Sequence, residues 1–196
     1  MPYRKPSEKL VRPANFLALL AVLGIAALPH VADAATSTTT FTVNVTVPTS
    51  CTITATNVNF GTYDGANANA TAAANANGTV SATCTQGTAP TIGLGAGANA
   101  SSTQRRLKDS NTDYISYNLL QPSSSTPGAA CNYGSGTAWG DGTTGTTGTV
   151  FSLTAAPSKA ARAYNVCGVI PAGQDVPVNG TGNVSYNDTV TATITF

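Results

Sequence analysis

From Phe41 the chain alternates strictly. Phe41, Val43, Val45 and Val47 are apolar and Thr42, Asn44 and Thr46 are polar, the two-residue period of a strand that buries one face. Pro48, Thr49 and Ser50 separate this run from Cys51, with no Asn-Gly or Gly-Gly pair to fold it back on a neighbour. The same alternation closes the sequence, where Val190, Ala192, Ile194 and Phe196 interleave with Thr191, Thr193 and Thr195. The pattern predicts a strand with no hairpin partner at one end and a long open edge, ending at Phe196, at the other.

Between these runs lie short apolar or β-branched stretches set apart by Gly, Asn, Pro and Ser. They predict strands at 51–56, 78–84, 90–94, 114–120, 149–154, 164–170 and 183–196, an all-β sandwich. A weak helical pattern at 155–163 is broken by Pro157. Two low-complexity segments, Ala/Asn-rich at 65–78 and Gly/Thr-rich at 140–148, read as surface loops too poor in large apolar groups to bury much area.

The start of the chain follows a different rule. Arg4, Lys5, Lys9 and Arg12 precede an apolar stretch from Phe16 to Leu28, and Ala32-Asp33-Ala34 follows. This reads as a secretory signal cut after Ala34, since its apolar core falls short of the roughly 20 residues a spanning helix needs. The expected organisation is therefore a signal at 1–34, an unattached strand at 35–47 and one sandwich domain at 48–196. The mature product is expected outside the cytoplasm, with no membrane span.

Cleavage also strips the chain of chemistry. The single histidine, His30, and the only Glu and Met, Glu8 and Met1, lie in the signal. What remains is slightly acidic: Arg105, Arg106, Lys108, Lys159 and Arg162 against Asp64, Asp109, Asp113, Asp141, Asp175 and Asp188. Such a balance offers no basic surface for nucleic acid. Without histidine the usual proton acceptor is missing. Asp109 and Asp113 read as solvated residues of the polar turn they flank rather than a glycosidase pair. No nucleophile elbow, phosphate loop or EF-hand pattern is found. The expectation is a protein with no catalytic residues, no metal and no cofactor. Arg105-Arg106-Leu107-Lys108 reads as a solvated strand edge that discourages stray pairing, and Trp139 as a core or sheet-end anchor.

Four cysteines, Cys51, Cys84, Cys131 and Cys167, all follow the signal. An even number in an exported chain reads as two disulfides, with three pairings open. A metal site competes poorly, because the spacings are long and no histidine assists.

A sandwich lacking one strand exposes apolar side chains and unpaired backbone together. If residues 41–47 of one subunit filled such a groove in another, four apolar side chains would each contribute about 1.5 to 3 kcal/mol before ordering costs. Backbone bonds would add roughly 0.5 to 1.5 kcal/mol apiece. The contact would be head-to-tail and, where its rotation does not close, would yield a filament. The rival expectation is a monomeric secreted coat or ligand-binding module in which residues 35–47 pair within their own domain.

The order of several short motifs resembles the spore coat protein U domain family, which includes subunits of archaic chaperone-usher pili. They are Cys51-Thr52-Ile53, Asn59-Phe60-Gly61-Thr62-Tyr63, Cys84, Arg105-Arg106-Leu107, Tyr117-Asn118-Leu119, Trp139-Gly140-Asp141-Gly142, Ile170-Pro171-Ala172-Gly173-Gln174 and the run from Tyr186 to Phe196. The resemblance implies an incomplete immunoglobulin-like sandwich completed by a donor strand from a neighbouring subunit. It implies a periplasmic chaperone and an outer-membrane usher as assembly partners, and a surface pilus for attachment and biofilm formation as the destination. Phe41, Val43, Val45 and Val47 would be donor residues; Val190, Ala192, Ile194 and Phe196 would edge the acceptor groove. Cys51 would pair with Cys84, leaving Cys131 with Cys167. Room for a single domain implies a shaft subunit rather than an adhesive tip.

Overall fold

The computed structural model describes residues 34–178 and 182–196. The expected signal at 1–34 falls, apart from Ala34, outside the described residues. The chain divides into two units, Met1–Asn44 and Val45–Phe196. Among the described residues no helix is long and apolar enough to cross a membrane.

Among its described residues the second unit is all-β, as expected, with eight strands: β1 (Cys51–Thr56), β2 (Ala74–Cys84), β3 (Thr91–Leu94), β4 (Arg105–Lys108), β5 (Tyr114–Leu120), β6 (Phe151–Ser152), β7 (Arg162–Ile170) and β8 (Ala192–Thr195). One sheet runs β1-β2-β7-β5-β4 and the other β6-β3-β8, with antiparallel pairing throughout. The central strands alternate as a half-buried pleat must. In β2, Val80, Ala82 and Cys84 are buried between less covered Thr79, Ser81 and Thr83; in β5, Ile115, Tyr117 and Leu119 point inward.

Aromatic packing fills the middle. Trp139 is fully buried, its indole N–H donating to the Ile92 carbonyl at 2.9 Å. Its ring lies 5.0 Å from Phe151, which meets Tyr164 edge-on at 5.6 Å, the geometry that ring quadrupoles favour.

Several expectations need correction. Arg105 is not a solvated edge residue: it is buried at 4% exposure. β4 pairs it opposite Tyr117 on the inward face of β5, so its stem is carried into the core. There the guanidinium donates to the carbonyls of Leu94 (2.7 Å), Gly95 (2.7 Å from Nη2) and Trp139 (2.9 Å). Burial lowers the pKa of Arg105, partly offset by Tyr117, Asp141 and Asp188. The Ala/Asn segment is only partly a loop, because β2 already begins at Ala74. The strand expected at 149–154 contracts to Phe151–Ser152. The Gly/Thr loop is ordered around Asp141, whose carboxylate accepts from the hydroxyls of Thr143 and Thr146 and from the Thr143 amide; these bonds lower its pKa.

One side chain replaces a missing ladder. The β5–β7 pairing runs from Leu120↔Cys167 to Asn118↔Val169, and β7 ends before Pro171, which has no N–H to continue it. The Gln174 amide takes over at Ser116, accepting its N–H and donating to its carbonyl, both at 2.8 Å.

Candidate functional site

β1 ends the larger sheet and β8 ends the smaller one. The two come close to each other without a hydrogen-bonded ladder. Each therefore turns one edge of backbone N–H and C=O groups toward no partner strand among the described residues. Half-buried apolar side chains flank this seam: Ile53 from β1, and Val190, Ala192 and Ile194 from β8 and the residue run leading into it. All pack on the buried core and none is fully covered.

Contacts between segments distant in sequence hold β1 and the residues after it in place. Cys51 and Cys84 are directly opposed in the β1–β2 register and are joined by a disulfide with sulfurs 2.08 Å apart. The Thr85 amide donates to the Ser50 carbonyl at 2.8 Å, continuing that ladder by one bond. Beyond β1, Val58 and Phe60 lie so close to β7 at Gly168 that a Cβ there would fall 2.6 and 2.7 Å from their atoms, so only glycine lets them down onto the sheet. Phe60 meets Tyr117 edge-on at 6.3 Å. Tyr63 pins the end of this segment, its hydroxyl donating to the Pro171 carbonyl (2.8 Å) and accepting from the Gln174 backbone N–H (2.9 Å).

The approach to β8 is fixed by Asp188. Its Oδ2 accepts the Tyr117 hydroxyl at 2.7 Å, and its Oδ1 accepts the backbone and side-chain N–H groups of Asn99. Burial first, then the bond to Asp188, raises the pKa of Tyr117. Gly97 allows this contact at a backbone φ of +90°, and a Cβ there would collide with the Asp188 carboxylate. Half-buried and exposed residues alternate from Val184 through Thr195, so the expected pleat at 183–196 persists although regular strand covers only Ala192–Thr195. Of the expected groove-edge residues, Val190, Ala192 and Ile194 are half-buried and Phe196 is 55% exposed.

Residues 34–50 lie in no helix or strand. Phe41, Val43, Val45 and Val47 are 86%, 83%, 88% and 72% exposed, far more than large apolar side chains in a settled strand. Cys131 and Cys167 form the second disulfide, fastening the loop that carries Cys131 to β7. Asp109 is buried whereas Asp113 is half-buried, so the pair does not form a uniformly solvated turn. Among the described residues no group of three or more His, Cys, Asp or Glu side chains is placed to hold a metal ion.

Motif reading passed over Ile53, Val58, Phe60 and Tyr63 as parts of one surface. The available signal was the inward alternation of Cys51 and Ile53 in β1; the descent of Val58 and Phe60 depends on a glycine more than a hundred positions away and has no local mark.

A family model described as Spore Coat Protein U domain matches residues 37–193. No curated protein matches the chain. Among solved structures it is similar to a chain of the CsuC-CsuE chaperone-tip adhesion subunit pre-assembly complex from archaic chaperone-usher Csu pili of Acinetobacter baumannii, at 22% identity and a TM-score of 0.44. That match covers 77% of this chain and 40% of the other.

Proposed function

The chain belongs to the Spore Coat Protein U domain family, and from that premise we propose that it is a structural, non-catalytic pilus subunit of a chaperone-usher system. Residues 35–47 serve as a donor strand and 48–196 as an incomplete sandwich. Export carries the chain to the periplasm, where a chaperone occupies its groove. An outer-membrane usher then exchanges that chaperone for the donor segment of the next copy, and the fibre reaches the cell surface as a shaft supporting attachment and biofilm formation.

The observation that carries this reading is the seam between β1 and β8, where two edges with no partner strand among the described residues come together over half-buried Ile53, Val190, Ala192 and Ile194. A strand inserted there gains backbone partners and finishes the burial of those side chains. Phe41, Val43, Val45 and Val47 supply an apolar row of the right period, and each is exposed. Four such side chains going from exposed to covered contribute a gross 6 to 12 kcal/mol, taking about 1.5 to 3 kcal/mol each. The interface is heterologous, so it propagates instead of closing.

Purification of the exported chain from its periplasm tests the reading. Copurification with a chaperone, or polymers that resist heat in detergent and disappear when residues 35–47 are deleted, is the expected result. A stable monomer unaffected by that deletion overturns it in favour of a secreted binding module.

A further inference from the structure

On the β8 side of the seam every second residue is half-buried: Tyr186, Asp188, Val190, Ala192 and Ile194, with Phe196 continuing the same period. The far side of this run is already held. β8 pairs with β3, and the backbone N–H groups of Gly95 and Ala98 extend that pairing by donating to the carbonyls of Thr191 (2.9 Å) and Thr189 (3.0 Å). From Val190 onward the row is apolar; the residue before it in the row is a carboxylate, Asp188.

Both oxygens of that carboxylate are engaged. Oδ1 accepts the backbone N–H of Asn99 at 3.0 Å and its side-chain amide at 3.1 Å, and Oδ2 accepts the Tyr117 hydroxyl at 2.7 Å. The Tyr117 ring meets Phe60 edge-on at 6.3 Å, and Phe60 belongs to the segment that leaves β1. Tyr117 thus touches the chain from both sides of the seam at the Asp188 end. An apolar side chain laid against this end finds a charged group where the rest of the row offers hydrocarbon, and covering that group from water is unfavourable.

A donor strand needs such a marker. A one-residue slip would turn its apolar row outward, but a two-residue slip keeps the row inward. Val43, Val45 and Val47 are identical side chains, so shape discriminates little between registers two residues apart. We infer, resting on the pilus reading, that the Asp188–Tyr117 pair sets the register of the strand donated by a second copy of the chain, confining its apolar row to Val190, Ala192, Ile194 and Phe196. Four donor positions, Phe41, Val43, Val45 and Val47, then meet four wall positions. Sliding toward Asp188 sets an apolar side chain against the carboxylate, and sliding away uncovers Val190. The donor row is itself bounded, by polar Thr39 before it and by Pro48 after it, which has no N–H to extend a ladder. Full overlap of 41–47 with 190–196 places Asn44 opposite Thr193, whichever way the donated strand points.

Disulfide trapping in the full exported chain tests the register. Asn44→Cys is combined in turn with Thr191→Cys, Thr193→Cys and Thr195→Cys, all at exposed positions; assembled material is oxidised, unfolded and separated without reductant. Covalent ladders are expected with Thr193→Cys at about tenfold or more the yield of either neighbour, the cost of leaving one apolar side chain uncovered. Adding Asp188→Leu with Tyr117→Phe, or Asp188→Asn alone should that pair fail to fold, should spread the ladders to an adjacent position. Polymers whose ladders favour Thr191→Cys or Thr195→Cys, show no preference or do not form covalently at all overturn the register and leave the pilus reading standing. Ladders that stay confined to Thr193→Cys once Asp188 is replaced overturn the role of Asp188 in the same way. Absence of polymer, or a cross-link only within one chain, overturns the pilus reading and the register with it.

Discussion

Ile194 stands directly opposite Ile92 across the β3–β8 ladder, yet Ile92 is fully buried and Ile194 only partly so. Neighbours on adjacent strands of one sheet thus differ in cover because, among the described residues, β8 has a strand on one side only.

Ile194→Ala should accordingly act in two stages. In the unassembled subunit, where the side chain is incompletely covered, the loss should be near 1 kcal/mol, below the range of roughly 2 to 5 kcal/mol for a fully buried site. In assembled material it should reach that range. Denaturant midpoints of chaperone-released subunit and of fibre check the difference, and equal losses in both states would remove β8 from the joint.

Val45→Asp places a charge on a side chain that is 88% exposed. Unassembled stability should move by no more than about 0.5 kcal/mol. Polymer formation should stop, because the carboxylate would have to enter an apolar groove without a partner. Heat-resistant ladders at the parental level from this variant would show that the face carrying Val45 is not the one buried.

Arg105→Lys should not be conservative. The guanidinium serves the carbonyls of Leu94, Gly95 and Trp139 at once, and a lysine ammonium cannot reproduce that planar fork. Leaving buried carbonyls unpaired at roughly 1 to 3 kcal/mol each should lower the yield of folded protein severely. Thermal unfolding of Arg105→Lys beside Arg106→Lys measures the contrast, the second being expected near the parent.

Alkaline pH should unfold the domain through Tyr117. Its folded-state pKa is raised, by burial and by the bond to Asp188, so the neutral phenol is the form the fold requires. The stabilisation is complete below the ordinary tyrosine value of about 10 and is lost as pH climbs above it. Tyr164 and Tyr186, also raised by burial, add the same sign. Tyrosinate absorbance followed with circular dichroism should show ionisation and unfolding together, and Tyr117→Phe should shift the midpoint upward.

Reduction should cost the fold heavily, since removing a native disulfide from a small exported domain typically loses about 2 to 5 kcal/mol. Cys51→Ser with Cys84→Ser frees the end of β1. Urea midpoints of this double variant and of the corresponding Cys131/Cys167 variant give the two contributions separately.

Short apolar runs were a legible signal, placing strands over 78–84, 114–120 and 164–170 where β2, β5 and β7 lie. The alternation read near the end of the sequence extends through 184–195 even where the ladder is irregular. The Arg105 cluster misled because a charged run in sequence looks the same whether its first member faces water or core. Only the register Arg105↔Tyr117 decides between them, and register with a strand beyond a turn has no mark in local composition. Asp109 was misread for a similar reason: its burial has no mark in the composition of the polar turn that carries it. Gln174 likewise gave no hint that its amide would stand in for a strand.

The Cys51–Cys84 bridge has a mechanical consequence. Tension arriving along the backbone through Ser50 reaches the cystine before any hydrogen bond of β1 is loaded. The covalent link passes that pull to β2, which is held on both flanks. Peeling an end strand one bond at a time is thereby replaced by shearing an interior one, a far steeper route to rupture.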